Sequence, residues 1–467
     1  MKIRIGILAF SDGREYVYKQ LKPINQRFLK TTVDALRNTG EIEPIMGDEI
    51  IWTSQLARAQ AEKVSVQNID GTIFNFSTWS FPNLAVIAAQ SGKGPHLMLS
   101  NLNPQYPGLV AMLASAGALD QLGLFNERIW GDISKKKIKK KVLTFCRAAH
   151  AVNTLKGQTF GLFGGRSFGM NTATADPLQW QKIFGVDVEH IDQLEIIRGA
   201  SQVSHNKVET AFKWLTKNVG RILYDNNRLA KEKLKFQIRC YEATKAIIKE
   251  KNLNFVGIKC HTELSDYYVT QCLSQAFLND PYDWDGEHNP VVCACEADMD
   301  GGLTMQILNL LSQKPVLFMD FRHYDEKENV FVFCNCGSHA TWYAARSNDP
   351  RENLKKVIFY PSVPFFPGGG AHVQYVASEG EVTLARLSRK DGKYWMAIAL
   401  GRFIEYPREK CEETSRQWPH AFVKLNSDPN QLISEFSSNH VHAVSGNFVN
   451  ELVQVCRILR IKPVVFE

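Results

Sequence analysis

The sequence predicts an α/β protein: two doubly wound, Rossmann-like domains followed by a β-rich, barrel-like C-terminal domain. Three observations carry that expectation. Up to about residue 322, apolar runs of strand length alternate with helical periodicity. Beyond residue 325 the runs are short, β-rich and separated by Gly, Pro or Asp, with no long helical pattern before the last helix. Between the two regimes lies Pro290–Tyr324, PVVCACEADMDGGLTMQILNLLSQKPVLFMDFRHY, where the apolar runs Val291–Cys295 and Val316–Met319 each end in a carboxylate, Glu296 and Asp320.

That stretch organises the chain. Gly301-Gly302 reads as a turn, and Leu303, Ile307, Leu310 and Leu311 fall on one helix face. The pattern is a strand–helix–strand crossover with two buried parallel strands. Ligands gather at the carboxyl ends of such strands, where both acids fall. Two carboxylates at one rim can hold a divalent metal or share proton-transfer work; the bland reading is a pair of solvated strand-end acids.

A chain of 467 residues implies several domains, here 1–157, 158–322 and 323–467. With 44% hydrophobic and 22% charged residues it is a soluble globular composition and not a disordered one. No apolar run reaches the ~18 residues of a membrane span. The start, MKIRIGILAFSDGRE, reads as a first strand closed by Ser11-Asp12-Gly13, so the expected location is cytoplasmic, without a membrane partner. Much of the net charge of +7 sits in Lys135–Lys141, KKKIKKK, the solvated start of a helix that continues through Val142, Leu143 and Phe145. Basic residues interleaved with aromatics are missing, which excludes a nucleic-acid partner.

Ten cysteines include two C-x-C pairs, Cys293/Cys295 and Cys334/Cys336. Structural zinc sites space their ligands as C-x2-4-C, so buried free thiols dispersed in separate cores are the expectation. A zinc hydrolase built on these pairs would need the thiols exposed together.

In order, residues 1–130 read as strand Ile3–Phe10, helix near Tyr16–Asn38, strand Gly71–Phe76, helix Leu84–Gln90 and strand His96–Ser100. Asp12-Gly13-Arg14 and Ser77-Thr78-Trp79 each follow a strand at the carboxyl rim. An Arg there can fork onto substrate oxygens and a Trp can stack on a sugar face. Equally, they can be a salt bridge and a packing residue. Strand Gln158–Phe163 ends in Gly164-Gly165-Arg166-Ser167-Phe168-Gly169-Met170, which has neither phosphate-loop nor dinucleotide spacing. A long helical region, Gln202 to about Lys251, leads to strand Phe255–Ile258, to Lys259-Cys260-His261 and to a helix near Thr270–Phe277. In the β-rich part, Gly368-Gly369-Gly370 permits close approach, Trp418-Pro419 sits in a loop, and Asn439-His440-Val441-His442 precedes the helix near Asn447–Arg460. His440 and His442 share a face if that segment is extended, so only one need point at a metal.

Taken together, these residues resemble the L-fucose/L-arabinose isomerase superfamily, and most its L-fucose isomerase branch. The resemblance runs through nearly the whole chain, with a shorter C-terminal region. It rests on Asp12-Gly13-Arg14, Gly164-Gly165, Tyr282-Asp283-Trp284-Asp285-Gly286, Val291–Glu296, Asp320-Phe321-Arg322, Asn335-Cys336-Gly337-Ser338, Gly368–Gly370, Trp418-Pro419, Asn439-His440 and Leu459-Arg460-Ile461. It implies that Glu296, Asp320 and His440 are metal ligands, and that Arg14, Trp79 and Trp418 contact substrate. It also implies a homo-oligomer, often a hexamer, in which Arg14 and Trp79 act on a neighbouring subunit's site.

Two carboxylates and an imidazole suit a hard or borderline divalent ion, with Mn²⁺ favoured. The implied chemistry is aldose–ketose isomerisation of an open-chain sugar through a cis-enediol, with Glu296 and Asp320 as the proton-transfer pair. A sugar-binding protein that has lost turnover on the same scaffold is the alternative. Departures bear on the substrate: Lys259 stands where the family carries glutamine, Arg166 replaces an apolar residue, and His372 follows the glycine triplet out of register. Extra cations near a sugar site point to an anionic sugar such as sulfoquinovose, and Asn439, next to His440, is a further expected substrate contact. The competing expectation pairs Lys259 and Arg166 with Glu263 or Asp176.

Overall fold

The computed structural model describes residues 2–337 and 339–467; Ser338, the last residue of one motif above, lies outside them. The chain forms two compact units, Met1–Thr154 with Asn450–Arg460, and Leu155–Val449 with Ile461–Glu467.

The first unit is built on five parallel strands. Their order across the sheet is Ile42–Met46, Ile3–Phe10, Gly71–Phe76, His96–Ser100, Asn126–Trp130. Central strand Gly71–Phe76 is buried throughout, as a strand covered on both faces must be. Ile42–Met46, with Pro44, and Asn126–Trp130, with Glu127 and Arg128, are the polar edges. Strand order reverses between Ile3–Phe10 and Gly71–Phe76, so the segments after them, Asp12–Arg14 and Ser77–Trp79, flank the crevice where such sheets bind ligands.

The second unit opens with a four-stranded parallel sheet ordered Cys293–Cys295, Phe255–Ile258, Thr159–Phe163, Asp187–Ile191. The long helical region is two helices, His205–Asn218 and Lys231–Glu250, parted by the short strand Arg221–Ile222. Six antiparallel strands then close a barrel: Gly380–Lys390, His440–Ser445, Val316–Asp325, Val330–Cys334, His420–Leu425 and Lys393–Phe403, the last pairing back onto the first. Strand Lys462–Phe466 adds alongside Lys393–Phe403.

This corrects two readings of Pro290–Tyr324. The strand beginning at Val316 is antiparallel and belongs to the barrel; it is not a parallel neighbour of Cys293–Cys295. Helix Met299–Ser312 packs outside the barrel against His440–Ser445 and Gly380–Lys390, so both faces of the nearby strands are buried and give the same unbroken apolar run. Gly301-Gly302 is the first turn of that helix and not a loop.

The barrel's register sets the key contact. Asp320 lies directly opposite His440, and Phe318 opposite His442. Alternation sends Leu317, Met319, Val441 and Ala443 into the apolar core, leaving Phe318, Asp320, His440 and His442 on the other face. Register shifts between Phe321 and His323, a bulge that re-aims Arg322. Among the described residues no helix is long and apolar enough to cross a membrane.

Asp280 ties this unit together, accepting hydrogen bonds from Thr341 Oγ1 at 2.6 Å and from the Trp342 amide at 2.8 Å. Complete burial outweighs those bonds and pushes its carboxyl up to about 7. Because the folded value lies above the unfolded one, near 4, the bound proton stabilises the fold fully below about pH 4. That contribution is lost as pH rises through about 7. Asp280→Asn cannot ionise and can keep both contacts, since Thr341 Oγ1 can accept from it while donating to Tyr282. Its melting temperature, measured against the parent, should therefore gain as pH is raised from about 5 to about 8, by roughly 2–4 °C per kcal/mol. A pH-independent difference would contradict the burial argument.

Candidate functional site

Glu296 and Ala297 leave strand Cys293–Cys295 with φ of 57° and 52°. Two successive left-handed non-glycine residues cost about 1–2 kcal/mol each and hold only where packing dictates them. Here Gly257 on the adjoining strand supplies the room: a Cβ on it would lie 3.1 Å from Ala297 Cα. The turn throws Glu296 toward the barrel and sets Asp298 at the start of helix Met299–Ser312, where its Oδ1 accepts from the Gly301 amide at 2.9 Å.

Three carboxylates converge on the imidazole of His440, which is wholly buried. Nε2 lies 3.0 Å from Glu296 Oε2 and 3.3 Å from Asp320 Oδ1; Nδ1 lies 2.7 Å from Asp298 Oδ2. Neither oxygen near Nε2 is aligned for a hydrogen bond, so that buried nitrogen is an orphan despite their closeness. Asp320 is in turn held by Asn335 Nδ2 at 2.9 Å and Asn439 Nδ2 at 3.2 Å. Burial would raise its carboxyl, but the charge of His440 and these amides hold it below the usual carboxylate range. Burial would lower His440, yet the charge of Asp320 and the contacts with Asp298, Asp320 and Glu296 raise it well above ordinary histidine.

Behind this triad lies Arg386, 1% exposed. Its Nη1 donates to Asp298 Oδ2 at 2.5 Å and its Nη2 to Asp298 Oδ1 at 3.2 Å and to the Thr172 carbonyl at 3.0 Å. Nη1 also stands 3.2 Å from His442 Nε2. Burial, with Arg386 alongside, pushes His442 far below ordinary histidine, so it stays neutral. Asp298 is driven the opposite way from what burial alone would do, far down, by Arg386 and His440.

In front, Glu296 and Asp320 open into a cleft of about 650 Å³ that Arg322, Phe365, Thr414 and Trp418 also line. Arg322 makes no ion pair among the described residues.

Among the described residues, no group of three or more His, Cys, Asp and Glu side chains stands ready-made in coordinating geometry. By chemistry, Glu296, Asp320 and His440 are nonetheless a donor set suited to one hard or borderline divalent ion. Ligands about 2.1 Å from a common octahedral centre sit about 3 Å apart, and the separations from Nε2 are 3.0 and 3.3 Å. Two carboxylates facing one ring nitrogen also call for positive charge between them, which a proton on Nε2 or a divalent cation in its place supplies. These three residues could hold a divalent cation of the Mn²⁺ class.

Comparison with known proteins bears on the same residues. Models of the first N-terminal, second N-terminal and C-terminal domains of L-fucose isomerase match residues 2–157, 243–313 and 333–467. The chain belongs to the L-fucose isomerase family. It is therefore an aldose–ketose isomerase by class. Similar proteins include the L-fucose isomerases of Haemophilus influenzae and Bacteroides thetaiotaomicron, both 23% identical, and of Escherichia coli, 22% identical; each alignment covers 98% of this chain and 92% of the relative.

Residues singled out from the sequence fall into three groups in this family member. Glu296, Asp320, His440, Asn439 and Trp418 gather at the cleft, Trp418 donating from Nε1 to His372 Nε2 at 3.4 Å. Lys259 and Arg166 are engaged elsewhere. Lys259 Nζ pairs with Glu263 at 2.8 Å, and Arg166 Nη1 donates to Asn171 at 2.5 Å, while Asp176 caps a helix through the Leu178 amide. Arg14 and Trp79 belong to the first unit. There Arg14 forks onto buried Asp12, with Nε and Nη2 at 2.9 and 2.7 Å, and Trp79 packs on the apolar core. Asp298 and Arg386 are site residues that sequence reasoning misses, as is Phe365 in the cleft, while Arg322 and Asn335 enter that reasoning only as parts of motifs. An Asp before a helix already signals an N-cap, and a lone Arg in a β-rich run signals a surface.

The thiols are free and buried, as expected, but not dispersed. Cys295 and Cys336, one from each C-x-C pair, meet with sulfurs 3.7 Å apart, and Cys272 Sγ lies 3.2 Å from His372 Nδ1. Spacing along the chain shows pairs; only the fold brings members of different pairs together. Since all ten are buried, an aromatic disulfide reagent should titrate fewer than one thiol per folded chain within minutes and ten after denaturation. Rapid reaction of several thiols in the native protein would restore the exposed-thiol reading.

Proposed function

We propose that the protein is a metal-dependent isomerase that interconverts an open-chain aldose and its ketose through a cis-enediol. The observation that carries this reading is the meeting of Glu296 Oε2 and Asp320 Oδ1 at His440 Nε2, at the floor of a sugar-sized cleft. When bound, a divalent ion such as Mn²⁺ would polarise the C1 carbonyl and steady the C2 hydroxyl.

The chain's own residues supply the rest. His440, Glu296 and Asp320 would hold the ion. Asn335 and Asn439, each on a different oxygen of Asp320, fix the plane of its carboxylate and keep it ionised, the state in which it can accept a proton. One of the two acids takes the C2 proton as O1 gains one; the enediol then loses its O2 proton and is protonated at C1, giving the ketose. Trp418 offers a flat apolar face for the sugar's CH edge, and Phe365 narrows the approach of water.

The sugar is of the L-fucose/D-arabinose type or an anionic relative such as sulfoquinovose. Pairing of Lys259 with Glu263 supports a neutral sugar, whereas Arg322, turned into the cleft by its bulge, supports an anionic one. Arg14 and Trp79, at the crevice of the first unit, are further substrate contacts in this reading. The enzyme works in the cytoplasm as a homohexamer.

A panel of L-fucose, D-arabinose, L-arabinose, sulfoquinovose and sugar phosphates, assayed for ketose with Mn²⁺, tests this. Ketose should form from at least one sugar, vanish on chelation and return with Mn²⁺. Bound Mn²⁺ without ketose from any of them would instead favour a silent sugar-binding protein. Glu296→Gln and Asp320→Asn should each lower turnover at least about 100-fold with an unchanged circular dichroism spectrum. Near-parental rates in both variants would end the assignment. Light scattering should give the mass of six chains.

A further inference from the structure

We propose that Asp298, clamped by Arg386, is a positioning residue that fixes His440 with Nδ1 as hydrogen-bond donor and Nε2 as electron-pair donor toward Glu296 and Asp320. The inference rests on the metal-dependent reading above and adds residues to it.

The geometry is specific. An ionised carboxylate only accepts, and a neutral imidazole carries one N–H. The 2.7 Å contact of Asp298 Oδ2 with His440 Nδ1 therefore keeps a hydrogen on Nδ1, so that a cation displacing the proton from Nε2 meets the electron pair on the side of the two acids. A carboxylate bound by a single hydrogen bond could still swing, but here both oxygens are taken. Arg386 bridges Oδ1 and Oδ2, and the Gly301 amide adds a bond to Oδ1. Arg386 is itself anchored through Nη2 on the Thr172 carbonyl.

Gly301 makes the clamp possible. A Cβ there would lie 2.7 Å from Asp298 Oδ2 and 2.9 Å from Arg386 Nη1. The first helical glycine thus leaves room for the ion pair, a reason for Gly301 that helix propensity opposes. A carboxylate behind a ligating imidazole sets its tautomer and ring orientation, and losing one weakens metal binding about 10–100-fold. An ion pair serving stability alone would not need to touch Nδ1.

The test measures Mn²⁺ uptake by the full chain, from the paramagnetic resonance signal of the free ion. It uses the unaltered protein, Asp298→Asn, Asp298→Asn/Arg386→Gln and Gly301→Ala. The double variant leaves no unpaired buried charge, and Gly301→Ala changes no charge at all. Folding is checked by circular dichroism, and uptake is compared in folded variants. We expect affinity to fall about 10–100-fold in both Asp298 variants and several-fold in Gly301→Ala. Uptake within about twofold of the parent in the double variant or in Gly301→Ala overturns this inference alone. Failure of the unaltered protein to take up Mn²⁺ overturns both this inference and the metal-dependent reading.

Discussion

Three carboxylates around one buried imidazole are a problem of charge, and the second unit is arranged to solve it. Glu296, Asp298 and Asp320 all lie within 3.3 Å of His440. Bringing like charges that close in a low-dielectric interior is unfavourable unless opposite charge stands between or beside them. Arg386 answers for Asp298, both of whose oxygens it bonds. Glu296 and Asp320 are left with His440 itself, and a proton or a divalent cation at Nε2 would balance them. That is why the register of the barrel matters more than any single contact. Asp320 and His440 are directly opposed across two antiparallel strands, and a slip of one residue would send one of them into the apolar core.

The same constraint explains the strained turn that feeds the site. Two left-handed residues after Cys295 let one short segment serve two masters: Glu296 faces Nε2, and Asp298 reaches Nδ1 two positions later. A continued strand would alternate faces and put Glu296 and Asp298 on the same side of the sheet, at one end of the imidazole. The turn separates them to its two ends. Gly257 and Gly301 each vacate the space a side chain would fill, one under Ala297 and the other beside Asp298.

Much of this is legible in the sequence, for reasons that can be named. The apolar run ending in Glu296 marks a strand end, whereas Asp320 is not at one: its strand runs on from Val316 to Asp325, and the strand that begins at His440 brings the imidazole beside both acids. What periodicity cannot give is the partner of each strand. Val316–Met319 is buried on both faces, and a barrel strand beneath a helix leaves the same pattern as a parallel strand. Polar edges escape for the opposite reason: Ile42–Met46 and Asn126–Trp130 bury too little to show as runs. Lys259 reads as a site cation until Glu263, four residues on, is seen to neutralise it. Arg322 reads as part of a motif until the bulge turns it toward the cleft.

Buried ion pairs seldom add net stability over apolar residues of the same volume, because desolvating both ions offsets their attraction. Arg386 and Asp298, both essentially solvent-free, are therefore an expensive way to join a barrel to a helix. Their presence is better explained by the charge they leave behind. With Asp298 matched by Arg386 and His442 kept neutral beside the same guanidinium, the remaining carboxylates are Glu296 and Asp320, two negatives whose only counter-charge is whatever Nε2 of His440 binds, a proton or a cation. Without Arg386 there would be three, and a proton on His440 would be favoured further over any larger cation. Arg386 thus offsets the advantage that Asp298 gives the proton on His440, and in doing so it leaves a donor set that a divalent ion can balance.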